Sequence, residues 1–126
     1  MEQVNQPKTP VSLSIVFSFF NEEEVLPQLI SRTRKALKDE QQKGTVSNYE
    51  LIFVNDRSTD NSVNVLMEQD KSKEDIRIIN MSRNFGVSPC VLAGMKKASG
   101  DLVVYMDADL QDPPELISEL RRLEEG

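Results

Sequence analysis

At 126 residues the chain is one domain or part of one, long enough for a real hydrophobic core. Its net charge of −6 and pI near 4.7 argue against nucleic-acid binding, which calls for a basic face. A single cysteine, Cys90, excludes an intrachain disulfide and a four-cysteine zinc site, and the lack of histidine removes the usual general base.

Residues 1–11 are polar, carry two prolines and read as a flexible lead-in, with the domain proper expected over 12–126. The start, MEQVNQPKTP, lacks a basic region followed by an apolar core, so no signal peptide is expected. No apolar run approaches the ~20 residues of a membrane span. These features predict a soluble, cytoplasmic piece.

SLSIVFSF, residues 12–19, is rich in β-branched and aromatic residues and predicts a buried strand. Asn21 before Glu22-Glu23-Glu24 reads as an N-cap with acid in a first turn. Val25, Leu26, Leu29, Ile30, Thr33, Ala36 and Leu37 recur at helical spacing, which carries the helix to about Asp39. DEQQKGTVSN is then a polar connector. YELIFVN, residues 49–55, predicts a second strand, and DRSTDNS a turn opening a helix over Val63, Leu66 and Met67.

Residues 76–81 read as a third strand. Ser88 followed by Pro89 looks like a cap and first-turn proline, with the helix running to Ala98 and ended by Gly100. DLVVYM is a fourth strand, and Asp112-Pro113-Pro114-Glu115 opens a last helix with Leu116, Ile117, Leu120 and Leu123 inward. Continuous apolar strands alternating with helices predict an α/β fold, a parallel sheet covered on both faces. The chain stops just after a helix with no strand to follow, as if a domain were cut short.

Ligands of such sheets bind beyond the carboxyl ends of the strands. Those positions hold residues 18–22, 55–60, 82–86 and 107–112, which bring acid, amide, aromatic and one arginine to one edge. Turns and caps by themselves attract Asp, Asn and Ser, but two of these loops carry more carboxylate than capping requires. Asp107 and Asp109 lie at alternate positions on a strand end, with Gln111 continuing that face. Two carboxylates and an amide carbonyl are hard oxygen ligands suited to Mg²⁺ or Mn²⁺. Asp112, before Pro113, is assigned to capping.

Asp56 suits a nucleobase N–H or a ribose hydroxyl, as the acidic residue of dinucleotide folds does, or it simply holds its own turn with Ser58 and Thr59. Asp60 reads as a helix cap. Phe20 either stacks on a base or joins the core. Arg83, the only cation in its loop, has a diphosphate or Asp107 as its candidate partners. Cys90 reads as a small buried residue.

Taken in order, SIVFSFFNEEEVLPQL, FVNDRSTDNS, MSRNFGVSPCVLAGMKKASGD and YMDADLQDPPELI resemble family 2 glycosyltransferases, in the branch of dolichyl-phosphate mannose synthase and bactoprenol glucosyltransferases. The resemblance implies the nucleotide-binding half of a GT-A, Rossmann-like fold. It implies that Ser18, Phe20, Glu22 and Asp56 hold the base and ribose of a UDP- or GDP-sugar, with Arg83 and Asp107 also on the nucleotide. Asp107, Asp109 and Gln111 would bind the divalent metal, with Asp109 the catalytic residue. It further implies inverting transfer to a polyprenyl phosphate or other glycan acceptor in cell-envelope polysaccharide synthesis. The full-length protein would then sit at the cytoplasmic face of the inner membrane.

Three positions depart from the family's usual pattern: Ser18 stands where Pro is common, Phe20 where Tyr is, and Arg57 where Gly is. This piece alone is expected to bind nucleotide-sugar weakly and not to turn over. A non-catalytic relative is one alternative. A receiver-type signalling module would want an acidic pair after the first strand and a lysine after a fifth. A haloacid-dehalogenase-like phosphatase would carry its D-x-D after the first strand instead of the fourth.

Overall fold

The computed structural model describes residues 9–110, 113–115 and 117. Among these, four strands and three helices alternate: β1 (Val11–Phe19), α1 (Leu26–Lys43), β2 (Val46–Asn55), α2 (Ser62–Lys73), β3 (Ile76–Asn80), α3 (Val87–Lys97) and β4 (Leu102–Asp107). All pairings are parallel, and the sheet order is β3-β2-β1-β4. The order reverses direction at β1, whose two neighbours are β2 and β4. A crevice at such a switch point is where an open parallel sheet accepts ligands.

Side-chain alternation divides β1 between two cores. Leu13, Ile15, Phe17 and Phe19 point to the face that packs Leu26, Leu29, Ile30 and Leu37 of α1 and Leu66 of α2. Phe17 stacks on Phe53 with ring centroids 4.7 Å apart. Val16, with Ile52 and Val54 of β2, faces the other way, against Cys90 of α3. Gly94 lets α3 approach that face closely, since a Cβ there would lie 2.3 Å from a methyl of Val16.

The structure moves several expected boundaries. Asn21 does not cap a helix: α1 begins at Leu26, so the three glutamates lie outside its first turn. The helix continues past Asp39 to Lys43, where left-handed Gly44 (φ 82) donates its N–H to carbonyls of the last turn. β1 takes in Val11, one residue earlier than expected. Much of the expected polar connector is therefore helix and strand, because Val46 is buried opposite Val11 and extends β2 backwards. The third helix starts at Val87 with Gly86 as its N-cap, which places Ser88 inside the helix. Ala98 ends it; Gly100 instead sits tight against β1, donating its N–H to the Ser14 hydroxyl at 2.9 Å. Met67 is exposed on α2. Of the expected last helix, Ile117 is helical and buried; Asp112, Leu116, Leu120 and Leu123 lie outside the described residues. No helix among the described residues is long and apolar enough to cross a membrane.

Candidate functional site

At the carboxyl edge of the sheet, a cleft of about 210 Å³ opens between the ends of β1, β2 and β4. Ser18, Phe20, Glu22, Asp56, Asp107 and Asp109 all line it. Six residues drawn from three separated stretches of sequence thus meet at one place. Phe19 turns into the core, whereas the Phe20 ring is 46% exposed, which answers the choice between core and cleft. One expected residue among those described is not part of this wall. Arg83 lies over the Phe85 ring, 4.6 Å from its centroid, and is not among the residues lining the cleft. Gln111 lies outside the described residues.

The loop after β1 is fastened to the loop after β2 by Asn21, a residue whose role sequence reasoning missed. Asn21 adopts φ 55, a left-handed conformation that Asn tolerates better than most residues. Its Oδ1 accepts N–H bonds from Thr59 at 2.7 Å and Asp60 at 3.1 Å, while its own N–H donates to the Ser58 hydroxyl. The neighbouring Glu22 N–H donates to the Ser62 hydroxyl at 3.0 Å. An Asn directly after a buried strand was the available signal, but it serves equally as a capping signal. Asp60 is not the N-cap of α2, which is Asn61; Asp60 stands one residue before it and accepts the Ser62 N–H at 3.0 Å. Burial, then the charges of Asp109 and Asp60, raise the Glu22 carboxyl above its ordinary value.

Asp56 does not hold its own turn. Asn55 does that, its Oδ1 accepting the Ser58 N–H at 2.8 Å. The Asp56 carboxylate instead accepts from the backbone N–H of Phe85 at 2.7 Å and of Gly86 at 3.0 Å. Asn84 donates to the Asp56 carbonyl. The buried Cys90 thiol also bonds to Asp56, and burial followed by this contact pushes the thiol up to about 11. It is therefore a neutral donor, inert as a nucleophile at ordinary pH. Asp56 thus anchors the loop between β3 and α3 while still facing the cleft.

Arg57 occupies φ 64, the conformation a glycine would take without strain. The side chain swings across to donate from Nη1 to the Ser82 carbonyl at 2.7 Å.

At the end of β4, Tyr105 and Asp107 point to the same face, and Asp107 stands opposite Ser18 in the strand register. The Tyr105 hydroxyl donates to Asp107 Oδ1 at 2.7 Å and lies 2.7 Å from the Ser18 Oγ. Burial, offset in part by Ser18 and reinforced by Asp107, pushes the Tyr105 hydroxyl up to about 12. Beyond the strand, Ala108 is buried, Asp109 is exposed, and Leu110 turns the chain at φ 66.

Four carboxylates therefore face one cleft, and no lysine or arginine is among the described residues lining it. Carboxylates are hard oxygen donors, the chemistry a small divalent cation takes. No three acidic or thiol groups among the described residues converge closely enough to hold a metal alone.

An open parallel sheet with an acidic cleft at its switch point is the arrangement of a Rossmann-like, doubly wound protein. The Glycosyl transferase family 2 pattern matches residues 14–124, and the chain belongs to that family. It is 43% identical over 110 residues to the uncharacterized glycosyltransferase YkcC of Bacillus subtilis, covering 87% of this chain and 32% of that protein. It is 46% identical over 110 residues to the undecaprenyl-phosphate 4-deoxy-4-formamido-L-arabinose transferase of Proteus mirabilis, with 86% and 32% covered. The chain thus spans about a third of the length of these relatives.

Among solved structures it resembles the mannosyltransferase PcManGT from Pyrobaculum calidifontis in complex with GDP-Man and Mn²⁺. The TM-score is 0.68 at 16% identity, with 82% of this chain and 33% of the other covered. It also resembles S. aureus TarS 1–349 in complex with UDP-GlcNAc, with TM-score 0.60 at 22% identity over 86% of this chain and 31% of the other. At these identities the likeness is one of fold. Family membership sets aside the receiver-type and phosphatase-type alternatives.

Proposed function

We propose that the chain forms the donor-binding part of a metal-dependent, inverting glycosyltransferase that moves a sugar from a UDP- or GDP-sugar to a polyprenyl phosphate. The observation that carries the donor site is the convergence of Ser18, Phe20, Glu22, Asp56, Asp107 and Asp109 on one acidic cleft, with no cation among the described residues lining it. Phe20 offers an exposed ring on which a base stacks. Glu22 and Asp56 supply acceptors for base N–H or ribose hydroxyl groups. Asp107 and Asp109, with Gln111, would hold Mg²⁺ or Mn²⁺ against the diphosphate, Asp109 being the residue most directly engaged in catalysis. When bound, the ion neutralises charge developing on the departing nucleoside diphosphate. Arg83 lies outside the cleft wall in this arrangement, over the Phe85 ring.

The acceptor side of the proposal rests on the Proteus relative, whose name specifies undecaprenyl phosphate. A phosphate acceptor is already ionised, so the absence of histidine is no obstacle to attack on the sugar. Membrane association at the cytoplasmic face, and a role in cell-envelope polysaccharide, belong to the full-length protein in this reading. The 126-residue chain on its own is proposed to bind donor weakly and without turnover.

Calorimetry tests the donor site. UDP, GDP and their sugars are titrated into the chain with and without Mn²⁺, and binding is expected to depend on the metal. An Asp109→Asn variant that bound nucleotide and Mn²⁺ as well as the parent would overturn the assignment.

A further inference from the structure

We propose that Ser18 and Tyr105 form a hydrogen-bonded relay that positions Asp107 for the cation, making Tyr105 a positioning residue of the site. The inference rests on the reading of Asp107 as a metal ligand. It goes beyond that reading in assigning a role to two hydroxyls, one of them on a residue outside the cleft lining.

The direction of the relay follows from the chemistry of the three groups. An ionised carboxylate only accepts hydrogen bonds, so the single proton of the Tyr105 hydroxyl is committed to Asp107 Oδ1 at 2.7 Å. The contact between Tyr105 and Ser18, also 2.7 Å, must then be donated by Ser18. Both hydroxyl protons point one way, toward Asp107. The strand register sets this up: Tyr105 and Asp107 are two residues apart on β4, and Ser18 of β1 is the register partner of Asp107. The three groups therefore share one face of two hydrogen-bonded strands.

Tyr105 is also held from behind, packed against the core cluster of Val16, Ile52, Val54 and Cys90. Its hydroxyl is carried on a rigid ring and not on a flexible arm. Fixing one carboxylate oxygen restricts rotation of Asp107, which then meets a cation without first losing that freedom. The relay also gives a physical reason for Ser18, where a proline would have no hydroxyl to donate. Hydrogen bonds from outer residues to metal ligands typically contribute about 10–100-fold in metal affinity.

The test uses the 126-residue chain and Mn²⁺ with UDP or GDP as probes. Mn²⁺ affinity is measured by calorimetry for the parent, Asp107→Asn, Tyr105→Phe, Ser18→Ala and the double variant, alongside thermal melts. Tyr105→Phe keeps the ring, and is expected to weaken Mn²⁺ binding about tenfold or more. Its nucleotide affinity without metal should match the parent's, a separation that a merely structural role would not produce. Because the relay is serial, adding Ser18→Ala to Tyr105→Phe should cost no further metal affinity, whereas independent sites would add. A parent that takes up no Mn²⁺, or an Asp107→Asn variant that binds it equally well, overturns the metal site and the relay together. A parent that binds Mn²⁺ through Asp107, with Tyr105→Phe unchanged from it, overturns the relay alone.

Discussion

The carboxylate of Asp56, at the end of β2, accepts the backbone N–H of Gly86, the N-cap of α3, at 3.0 Å. With the Phe85 N–H at 2.7 Å, it joins two loops that lie 30 residues apart in sequence. An acid at this helix start also complements the partial positive charge of the helix N-terminus. The site's wall and the mounting of α3 are therefore one device.

Asp56→Ala should consequently act on stability as well as on ligand binding. Hydrogen bonds to a charged, largely buried acceptor are worth about 1.5–3 kcal/mol, and the alanine leaves N–H groups without their partner. Urea denaturation is expected to show a loss of about 2–3 kcal/mol. Asp56→Asn, which keeps one acceptor oxygen, should lose less. Equal stability in all three proteins would refute the anchoring role.

Arg57 tests how backbone strain and a side-chain bond balance. Its φ of 64 disfavours a non-glycine residue, but its guanidinium recovers energy at the Ser82 carbonyl. Arg57→Gly relieves the strain and forfeits the bond, so the net change in unfolding free energy should stay within about 1 kcal/mol. Arg57→Val keeps the strain, loses the bond and adds a β-branch, and should cost about 1–3 kcal/mol. A chemical denaturation series on the two variants separates these outcomes.

Gly94 inverts the usual helix rule. In an exposed helix, replacing Gly by Ala stabilises by about 1 kcal/mol. Here the added methyl would meet Val16 Cγ1 at 2.3 Å and Val54 Cγ2 at 3.1 Å. Gly94→Ala should therefore destabilise by about 1–3 kcal/mol through overpacking. A melting temperature above the parent's would show that α3 can lift off the sheet at little cost.

Glu50 supplies an acid-sensitive tie far from the cleft. Burial raises its carboxyl, but bonds from the Ser14 hydroxyl, the Ser99 N–H, Arg77 and the Ser99 hydroxyl outweigh that and bring it down to about 2. The depressed value means that this stabilisation is fully present above the ordinary value of 4.5. It is lost as the pH falls from there through about 2. Urea midpoints measured across that range should fall more steeply for the parent than for Glu50→Gln, which should be the less stable protein at neutral pH. Parallel profiles for the two would contradict the tie.

Much of the fold was legible because buried parallel strands are continuous apolar runs, and IVFSF, LIFVN and LVVYM are unmistakable as such. Boundaries were less legible where local chemistry has two outcomes. Asn21 before three glutamates has the form of a helix cap, yet its amide bonds Thr59 and Asp60, groups that a local reading cannot see. Ser88-Pro89 has the form of a helix start, but the helix begins two residues earlier behind a glycine held by Asp56.

The sequence by itself determined the α/β order, the positions of the acidic loops and the family, since these depend on residue type and spacing along the chain. Only the tertiary structure decided what each side chain does at the sheet edge. Parallel register set Ser18 against Asp107 and so brought Tyr105 between them, and the loop before α3 gave Asp56 its backbone partners. The Ser18–Tyr105 and Asp56–Phe85 bonds join residues tens of positions apart, and hydrogen bonds of that range leave no trace in local periodicity.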